Sequence, residues 1–315
     1  MTAAFACGSL NIKLHAMKKA IFLSLLGLCM ILCNTKIQAQ ESPTDTIPII
    51  EVRMNNGEVF TGKKVEETDT QLIIRSENGD LYLVKRNIKS IWHLPMGFKY
   101  SFRTPNATRY FFSPSAQTLR KGQGYYQNIM VSGNFVNVGV TDHLSLGGGF
   151  EFISTVLGNP ILFFTPKIGT QVAKDFHVAA GVMLIRVPEN YFVGIGYSSF
   201  TYGNDESSVT LSVGMPFTQE TFADYPVFAL SGIHRVSNSI SLVSENYMLT
   251  INSRERVINS DGTSDWEDVP QPIYLGIQGI RIMSKRNSFD IGVIVSSEFD
   301  GDLPALPFIG YARQF

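Results

Sequence analysis

The feature of this 315-residue chain that most constrains its fold is a two-residue alternation between residues 124 and 315. In one segment the apolar and the small or polar residues alternate as Val209, Thr210, Leu211, Ser212, Val213 and Gly214. A period of two places successive side chains on opposite faces of a β-strand, so the pattern predicts half-buried strands. Outside the N-terminus, no apolar run reaches the roughly 18 residues that a membrane-spanning helix needs. We therefore expect an all-β protein.

Three further segments show the same alternation. In the first, the apolar face is predicted to carry Ile129, Val131, Gly133 and Phe135. In the second it carries Leu144, Leu146, Gly148, Phe150 and Phe152. In the third it carries Phe289, Ile291, Val293 and Val295. The opposite faces consist mostly of Gly, Ser, Asn and single acidic residues.

A short phrase recurs, in which Asp or Asn at a turn precedes an alternating strand. Its instances begin at Asp142, Asp175, Asp205, Asn238 and Asn287, at spacings of 33, 30, 33 and 49 residues. Two strands of about ten residues with two turns fill such a unit, so the repeat predicts an up-and-down series of hairpins. Eleven long strands can be counted, which begin near residues 125, 144, 161, 176, 191, 207, 226, 240, 272, 288 and 305. A short strand at 107–113 would make twelve.

The pattern favours a barrel that crosses a membrane. In lipid every backbone polar group needs a partner, so an antiparallel sheet must close. The turns of the repeat are shorter on average than the connections between them, which is typical of membrane barrels with short periplasmic turns. The alternative is a soluble exported β-barrel that binds a small apolar ligand. Such a protein would show water a charged face, whereas only 17% of this chain is charged.

The last residues carry a second signal. Phe315 ends the chain, with Tyr311 and Ile309 at alternate upstream positions. This arrangement resembles the signal that the outer-membrane barrel assembly machinery reads, although Arg313 stands where an apolar residue is usual. Residues 124–315 as a whole resemble the outer-membrane β-barrel proteins of Gram-negative bacteria. The resemblance implies a transmembrane barrel of about 12 strands in outer-membrane lipid, with the assembly machinery as a partner.

In such a barrel the polar faces would line the lumen. The lumen-facing candidates are Glu151, Thr210, Ser212, Asp290 and Glu298. Arg186 and Arg281 could supply counter-charges, so that a cluster of ion pairs would plug or narrow a pore.

The first 39 residues are predicted to be an export signal with its start at Met17. Lys18 and Lys19 precede a largely apolar run from 20 to 33, and Ala39 supplies a small residue at the expected cleavage site. All three cysteines lie in this leader, so the exported chain has neither disulfides nor thiolate sites. Export also argues against a nucleic-acid partner, as does the net charge of −1.

Residues 47–92 differ from the main body. They are rich in charges and hold five short alternating pieces, with Asn55-Asn56-Gly57 and Asn78-Gly79-Asp80 as hairpin turns. The stretch from Val52 to Gly62 resembles the opening of Sm-like and SH3-like barrels. This resemblance implies a small five-stranded β-barrel domain in the periplasm, which could dock a periplasmic protein. Residues 93–123 are predicted to be a basic linker whose cations form a solvated or headgroup-facing strip.

Signals for catalysis are weak. Neither an HExxH nor a GxSxG motif occurs. His143-Leu144-Ser145 resembles a strand of outer-membrane phospholipases, but Glu151 stands where that family would have Asn. We therefore predict no catalytic, cofactor-binding or metal-binding residues. The expected function is a non-enzymatic barrel, either a narrow pore or a structural scaffold, and a lipid-hydrolysing barrel is the alternative.

Overall fold

The structure is a computed structural model that describes residues 49–76, 79–94, 98–258, 264–299 and 305–315. The predicted export signal and its cleavage site lie outside these residues. Among the described residues no helix is long and apolar enough to cross a bilayer. The described elements are one short helix, α1 (Phe152–Val156), and the strands β1 (Ile49–Met54), β2 (Val59–Glu67), β3 (Gln71–Ser76), β4 (Gly79–Val84), β5 (Ile88–His93), β6 (Gly124–Ile129), β7 (Gly133–Gly139), β8 (Leu144–Glu151), β9 (Leu162–Ala173), β10 (Phe176–Val187), β11 (Tyr191–Gly203), β12 (Ser207–Thr218), β13 (Val227–Arg235), β14 (Ile240–Ile258), β15 (Ser264–Met283), β16 (Asn287–Ser296) and β17 (Leu306–Gln314).

Strands β6 to β17 form a closed barrel in which each strand pairs with its chain neighbours. All of these pairs are antiparallel, and the last strand returns to the first through the register Gly310↔Ile129 to Gln314↔Tyr125. Closure leaves no edge strand with unpaired backbone groups. The predicted all-β, up-and-down barrel of about twelve strands is confirmed.

The segments that form the twelve strands differ from the predicted ones at the start of the barrel. Residues 107–113 do not form a barrel strand. The expected single strand around 125–135 is instead β6 and β7, joined by a tight turn. Met130 and Val131 occupy this turn with φ of 50° and 67°, a backbone region that an alternating pattern does not reveal. Ile129 and Phe135 share one face, as predicted, but that face lines the lumen, whereas Val136 is exposed on the outer wall.

The outer wall of the barrel is an apolar belt. Phe289, Ile291 and Val293 are exposed on β16, and Leu211 and Val213 are exposed on β12, as the alternation predicts. Exposed aromatic residues also stand near both ends of the barrel, at Phe150, Phe164, Phe192, Phe228, Tyr202 and Phe289. Along β11, the eleven residues from Phe192 to Tyr202 span about 25 Å once strand tilt is included, the height of a bilayer-facing band. A belt of this kind suits lipid rather than water.

The two ends of the barrel are different. The five turns of the repeat all lie at one end, which we call the module end, together with β1–β5 and Phe315. At the opposite, distal end lie the turn at 130–132, helix α1 and the connection at 219–226. At the distal end, strands β14 and β15 also extend beyond the flanking strands β13 and β16, since β13 pairs with β14 only as far as Met248. The extra residues form a projecting two-stranded ribbon.

The N-terminal strands form a separate antiparallel sheet in the order β4-β3-β2-β1-β5. Its core consists of Ile50, Val52, Met54, Leu72, Ile74 and Leu83. The predicted turn at Asn55-Asn56-Gly57 is present, and Gly57 has the positive φ of 86° that such a turn favours. The described strands confirm a small five-stranded β unit, and its closure into an Sm-like or SH3-like barrel stays a prediction. A single turn of 3₁₀-helix, Lys85–Asn87, leads from β4 to β5, and these two strands are the unpaired edges.

Candidate functional site: a plugged lumen

Residues 98–123 enter the barrel from the module end and fill the lumen there; we call this segment the plug. Tyr110, Phe111, Ser115 and Ala116 are fully buried. The prediction of a solvated basic strip is therefore wrong for Arg109, which is 2% exposed. The cause is the sequence around it, because the neighbouring aromatic residues pack inside the barrel; the Phe111 ring, for example, lies 5.0 Å from that of Phe308.

A buried carboxylate on β14 holds the centre of the plug. Glu245 Oε2 accepts hydrogen bonds from the backbone N–H groups of Phe111 (2.9 Å) and Phe112 (3.0 Å). Its Oε1 accepts from the N–H of Ser113 (3.0 Å) and from the Tyr247 hydroxyl. Successive N–H groups that converge in this way form an anion-binding concavity. One wall carboxylate thus satisfies three backbone donors of the plug.

A second buried carboxylate joins the plug to two other strands. Asp290 on β16 accepts from Arg109 of the plug at 2.8 Å and from Arg281 of β15 at 2.7 Å. All three side chains are almost completely buried. Arg281 also donates to the backbone carbonyl of Tyr110. Charged groups this deep are stable only when they are paired and hydrogen-bonded, so the three residues depend on one another.

Hydroxyl groups of the barrel wall complete this set of contacts. The Tyr110 hydroxyl lies 2.6 Å from Thr210 Oγ1. Burial raises the pKa of this hydroxyl to about 12, so it remains a hydrogen-bond donor. Further along, Ser113 Oγ lies 3.0 Å from Ser231 Oγ, and the N–H of Ala116 donates to Thr201 Oγ1 at 2.7 Å.

The end of the plug lies against β7 to β9. Lys167 Nζ donates to the carbonyls of Ser115 (2.9 Å) and Gln117 (2.7 Å). At Gly139 a Cβ would stand 2.2 Å from the carbonyl oxygen of Arg120, so only glycine permits this approach of the plug backbone. The plug therefore contacts nearly the whole circumference of the barrel.

The N-terminal sheet is attached to both the plug and the barrel. The ring of Trp92 faces the guanidinium groups of Arg103 and Arg120, with centroid distances of 4.1 and 4.4 Å. Arg53 donates to the Gln314 side chain at 2.7 Å, next to the end of the chain. Lys285, in a repeat turn, donates to the carbonyl of Val59. The sheet is thus positioned over the module end of the lumen.

The Trp92 contact gives a testable prediction. We expect Trp92→Ala to destabilise the attachment by about 3 kcal/mol, because a buried aromatic ring and two cation–π contacts are lost together. Amide hydrogen exchange should then increase in β1, β5 and residues 98–104, while the barrel strands stay protected. Trp92→Phe, which keeps a ring between the two arginines, is the control. Equal exchange in the alanine variant and the wild type would contradict this role for Trp92.

Beyond the plug, the distal half of the lumen contains a cavity of about 190 Å³. Part of its lining is apolar and includes Phe112, Phe135, Met183, Ile195 and Val227. The lining also includes two cations, Arg109 and Lys167, and no carboxylate. The plug contributes the floor of the cavity through residues 108–109 and 112–114.

The residues predicted to face the lumen divide into two groups. Thr210, Ser212 and Asp290 lie inside the barrel, where Thr210 and Asp290 contact the plug and Ser212 lines the cavity. The other two lie at the distal rim. There Glu151 caps α1 by accepting from the N–H groups of Ile153 and Ser154, and the Glu298 carboxylate accepts from Gln271.

The remaining predicted residues lie in several places. Of the two proposed counter-charges, Arg281 contacts Asp290, whereas Arg186 donates to Asn190 near the distal end. Ile309 and Phe315 are exposed on the outer surface, and the Tyr311 ring packs on Phe289 at 4.9 Å.

The structure does not bring the phospholipase-like residues together. His143 Nδ1 lies 3.2 Å from the carbonyl oxygen of Gly169, at the module end. Ser145 points into the barrel, where its hydroxyl accepts from the N–H of Leu119. A nucleophile and its base need a mutual hydrogen bond, which these two residues do not make. Within the described residues, no three His, Cys, Asp or Glu side chains are grouped so that they could hold a metal ion.

Glu245 and Arg109 are the important site residues that sequence reasoning missed. The sequence does mark Glu245, which is an acidic residue in the middle of β14 on the same face as Ser241 and Val243. Asp290 occupies the same kind of position in β16. No comparable signal marked Arg109, since nothing in a basic linker shows that it enters a barrel.

No protein-family model and no curated protein matches the chain. Solved structures that resemble it include KdgM porin, with 8% identity and a TM-score of 0.41 over 61% of this chain and 98% of that one. They also include OmpT, an outer membrane protein of Vibrio cholerae, whose loop-deletion mutant gives 12% identity and a TM-score of 0.34 over 85% of this chain and 97% of that one. The two named structures are a porin and an outer membrane protein, and what they share with this chain is a likeness of fold.

Proposed function

We propose that the chain is a non-enzymatic outer-membrane barrel whose lumen is kept closed by the plug. The observation that carries the proposal is the hydrogen bonding of three consecutive plug N–H groups to one buried carboxylate, Glu245. An open pore would need a free path through the lumen, and the plug occupies that path at the module end. Of the two functions expected from the sequence, the geometry thus favours the scaffold over the conducting pore.

We also propose where the chain is located and how the barrel is oriented in the membrane. The predicted signal peptide, cleaved after Ala39, would export the chain, and the apolar belt would place residues 124–315 in outer-membrane lipid. The short turns of the module end would face the periplasm. Ile309, Tyr311 and Phe315 would then be read by the barrel assembly machinery.

On this orientation, residues 49–93 would serve as a periplasmic interaction module. The outer strand of the sheet, β4, has an unpaired edge, and its Tyr82 side chain is 66% exposed. Exposed sheet edges with a large aromatic residue are suited to binding an extended segment of another protein.

The closed lumen can be tested by conductance in planar lipid bilayers. We expect the refolded chain 40–315 to be almost non-conducting and Glu245→Gln to show frequent openings. A glutamine amide would direct N–H groups at the plug's own donors, and each unsatisfied buried donor costs about 1–3 kcal/mol. Glu298→Gln, at the exposed distal rim, is the matched control and should stay closed. A wild-type protein with steady large conductance would refute the proposal.

A further inference from the structure

The cavity above the plug has an unusual charge arrangement. Its two cations are Arg109 and Lys167, and no Asp or Glu lines it. Arg109 is neutralised by Asp290 at 2.8 Å. Lys167, in contrast, has no carboxylate within 4.0 Å among the described residues. Its partners are the carbonyls of Ser115 and Gln117, which supply dipoles but no charge.

A buried ammonium group without a counter-ion is costly. Lys167 is 7% exposed, and what remains accessible borders the cavity. An ammonium group has three N–H donors, of which the two carbonyls of the plug take two. The third donor and the charge are thus available to a ligand that brings a negative oxygen atom into the cavity.

The surroundings of Lys167 define the rest of that ligand. The strand register places Lys167 opposite Gly181, Gly181 opposite Tyr197, and Tyr197 opposite Gly214. The two glycines carry no side chain, so this row of the wall presents only the ammonium group and the Tyr197 ring. Next to it lie the apolar side chains of Met183, Ile195 and Val227. The site therefore has one charged point and a mainly apolar wall.

The volume limits the size of the ligand. An apolar cavity of about 150 Å³ holds a benzene ring, and this cavity measures about 190 Å³. We infer that the cavity binds a small monoanion with an apolar body the size of a ring, its carboxylate paired with Lys167. This inference rests on the proposed closed lumen, because the plug forms the floor of the cavity.

Benzoate and its neutral analogue benzamide are suitable probes for titration calorimetry on the refolded chain 40–315. We expect benzoate to bind the wild type and Lys167→Met to weaken it by about 10- to 100-fold, the effect of losing one charge-assisted hydrogen bond. Benzamide, which has no charge to pair, should bind both proteins equally weakly. Lys174→Met, in the exposed β9–β10 turn, is the matched control and should bind benzoate like the wild type.

A second variant tests the apolar part of the site. Val227→Trp fills the cavity and leaves Lys167 and every hydrogen bond of the plug in place, so it should abolish binding of both probes. If Lys167→Met weakens benzoate binding only because it loosens the plug, Val227→Trp still tests the cavity, since it leaves the contacts of the plug unchanged. Benzoate that fails to bind the wild type, or that binds Lys167→Met or Val227→Trp with unchanged affinity, would overturn the inference.

Conductance of the same preparations separates this inference from the proposed function. A closed wild-type channel that does not bind benzoate contradicts the ligand site alone. An open wild-type channel contradicts the plugged lumen itself.

Discussion

Trypsin should cut Asp290→Ala after Arg109 and leave that bond intact in the wild type. In the wild type, Asp290 neutralises two arginines that are at most 2% exposed, one on the plug and one on the wall. Removal of the shared carboxylate leaves two buried positive charges facing each other, at a cost of about 3–5 kcal/mol. The protein can avoid this cost by releasing the plug, whose Arg109 then reaches water. Mass spectrometry of the fragments identifies the cleaved bond.

The matched control is Asp268→Ala. Asp268 also pairs with an arginine, Arg254, but both side chains are more than half exposed on the projecting ribbon. Exposed ion pairs contribute about 0–1 kcal/mol, so this variant should keep Arg109 protected. A heat-modifiable gel shift of Asp290→Ala checks that its barrel is still closed. If that barrel is intact and Arg109 remains uncut, Asp290 does not hold the plug.

The barrel itself was predictable from the sequence because its physics is local. Each strand shows the lipid one face and the lumen the other, so the alternation of Leu211 with Thr210 and Ser212 is sufficient to assign a side to each of these three residues. The exception, at 130–132, is also local. Two non-glycine residues with positive φ form a turn there, and such residues give the sequence no glycine or Asn-Gly signal.

The plug was not predictable because its structure depends on partners distant in the chain. Residues 98–123 form no regular strand, and the N–H groups of Phe111 and Ala116 donate to the side chains of Glu245 and Thr201 rather than to a neighbouring strand. A segment of this kind shows no periodicity. Considered without the barrel, its basic and aromatic residues are equally compatible with exposure to water and with contact to lipid headgroups. Only the closed barrel, with its two buried acids, shows where Arg109 belongs.

Replacement of Ser113 and Ser231 by cysteine should lock the plug in the barrel. The two hydroxyl oxygens lie 3.0 Å apart, one on the plug and one on β13, which is close enough for a disulfide after a small adjustment. The chain's three cysteines all precede residue 40, so no other thiol competes in 40–315. Closing a loop of well over 100 residues should stabilise the plugged state by about 4–5 kcal/mol.

The disulfide is best tested together with Asp290→Ala, because that substitution should release the plug and the disulfide should hold it in the barrel. With the disulfide oxidised, we expect little conductance and slow cleavage after Arg109; after reduction, both should rise to the level of Asp290→Ala alone. Ser199 and Ser212 provide the matched control, because their hydroxyls lie 2.7 Å apart on the adjacent wall strands β11 and β12. A disulfide there staples the wall without holding the plug, so it should not close the Asp290→Ala channel. Equal closure by both disulfides would mean that wall rigidity, rather than the position of residues 98–123, controls the lumen.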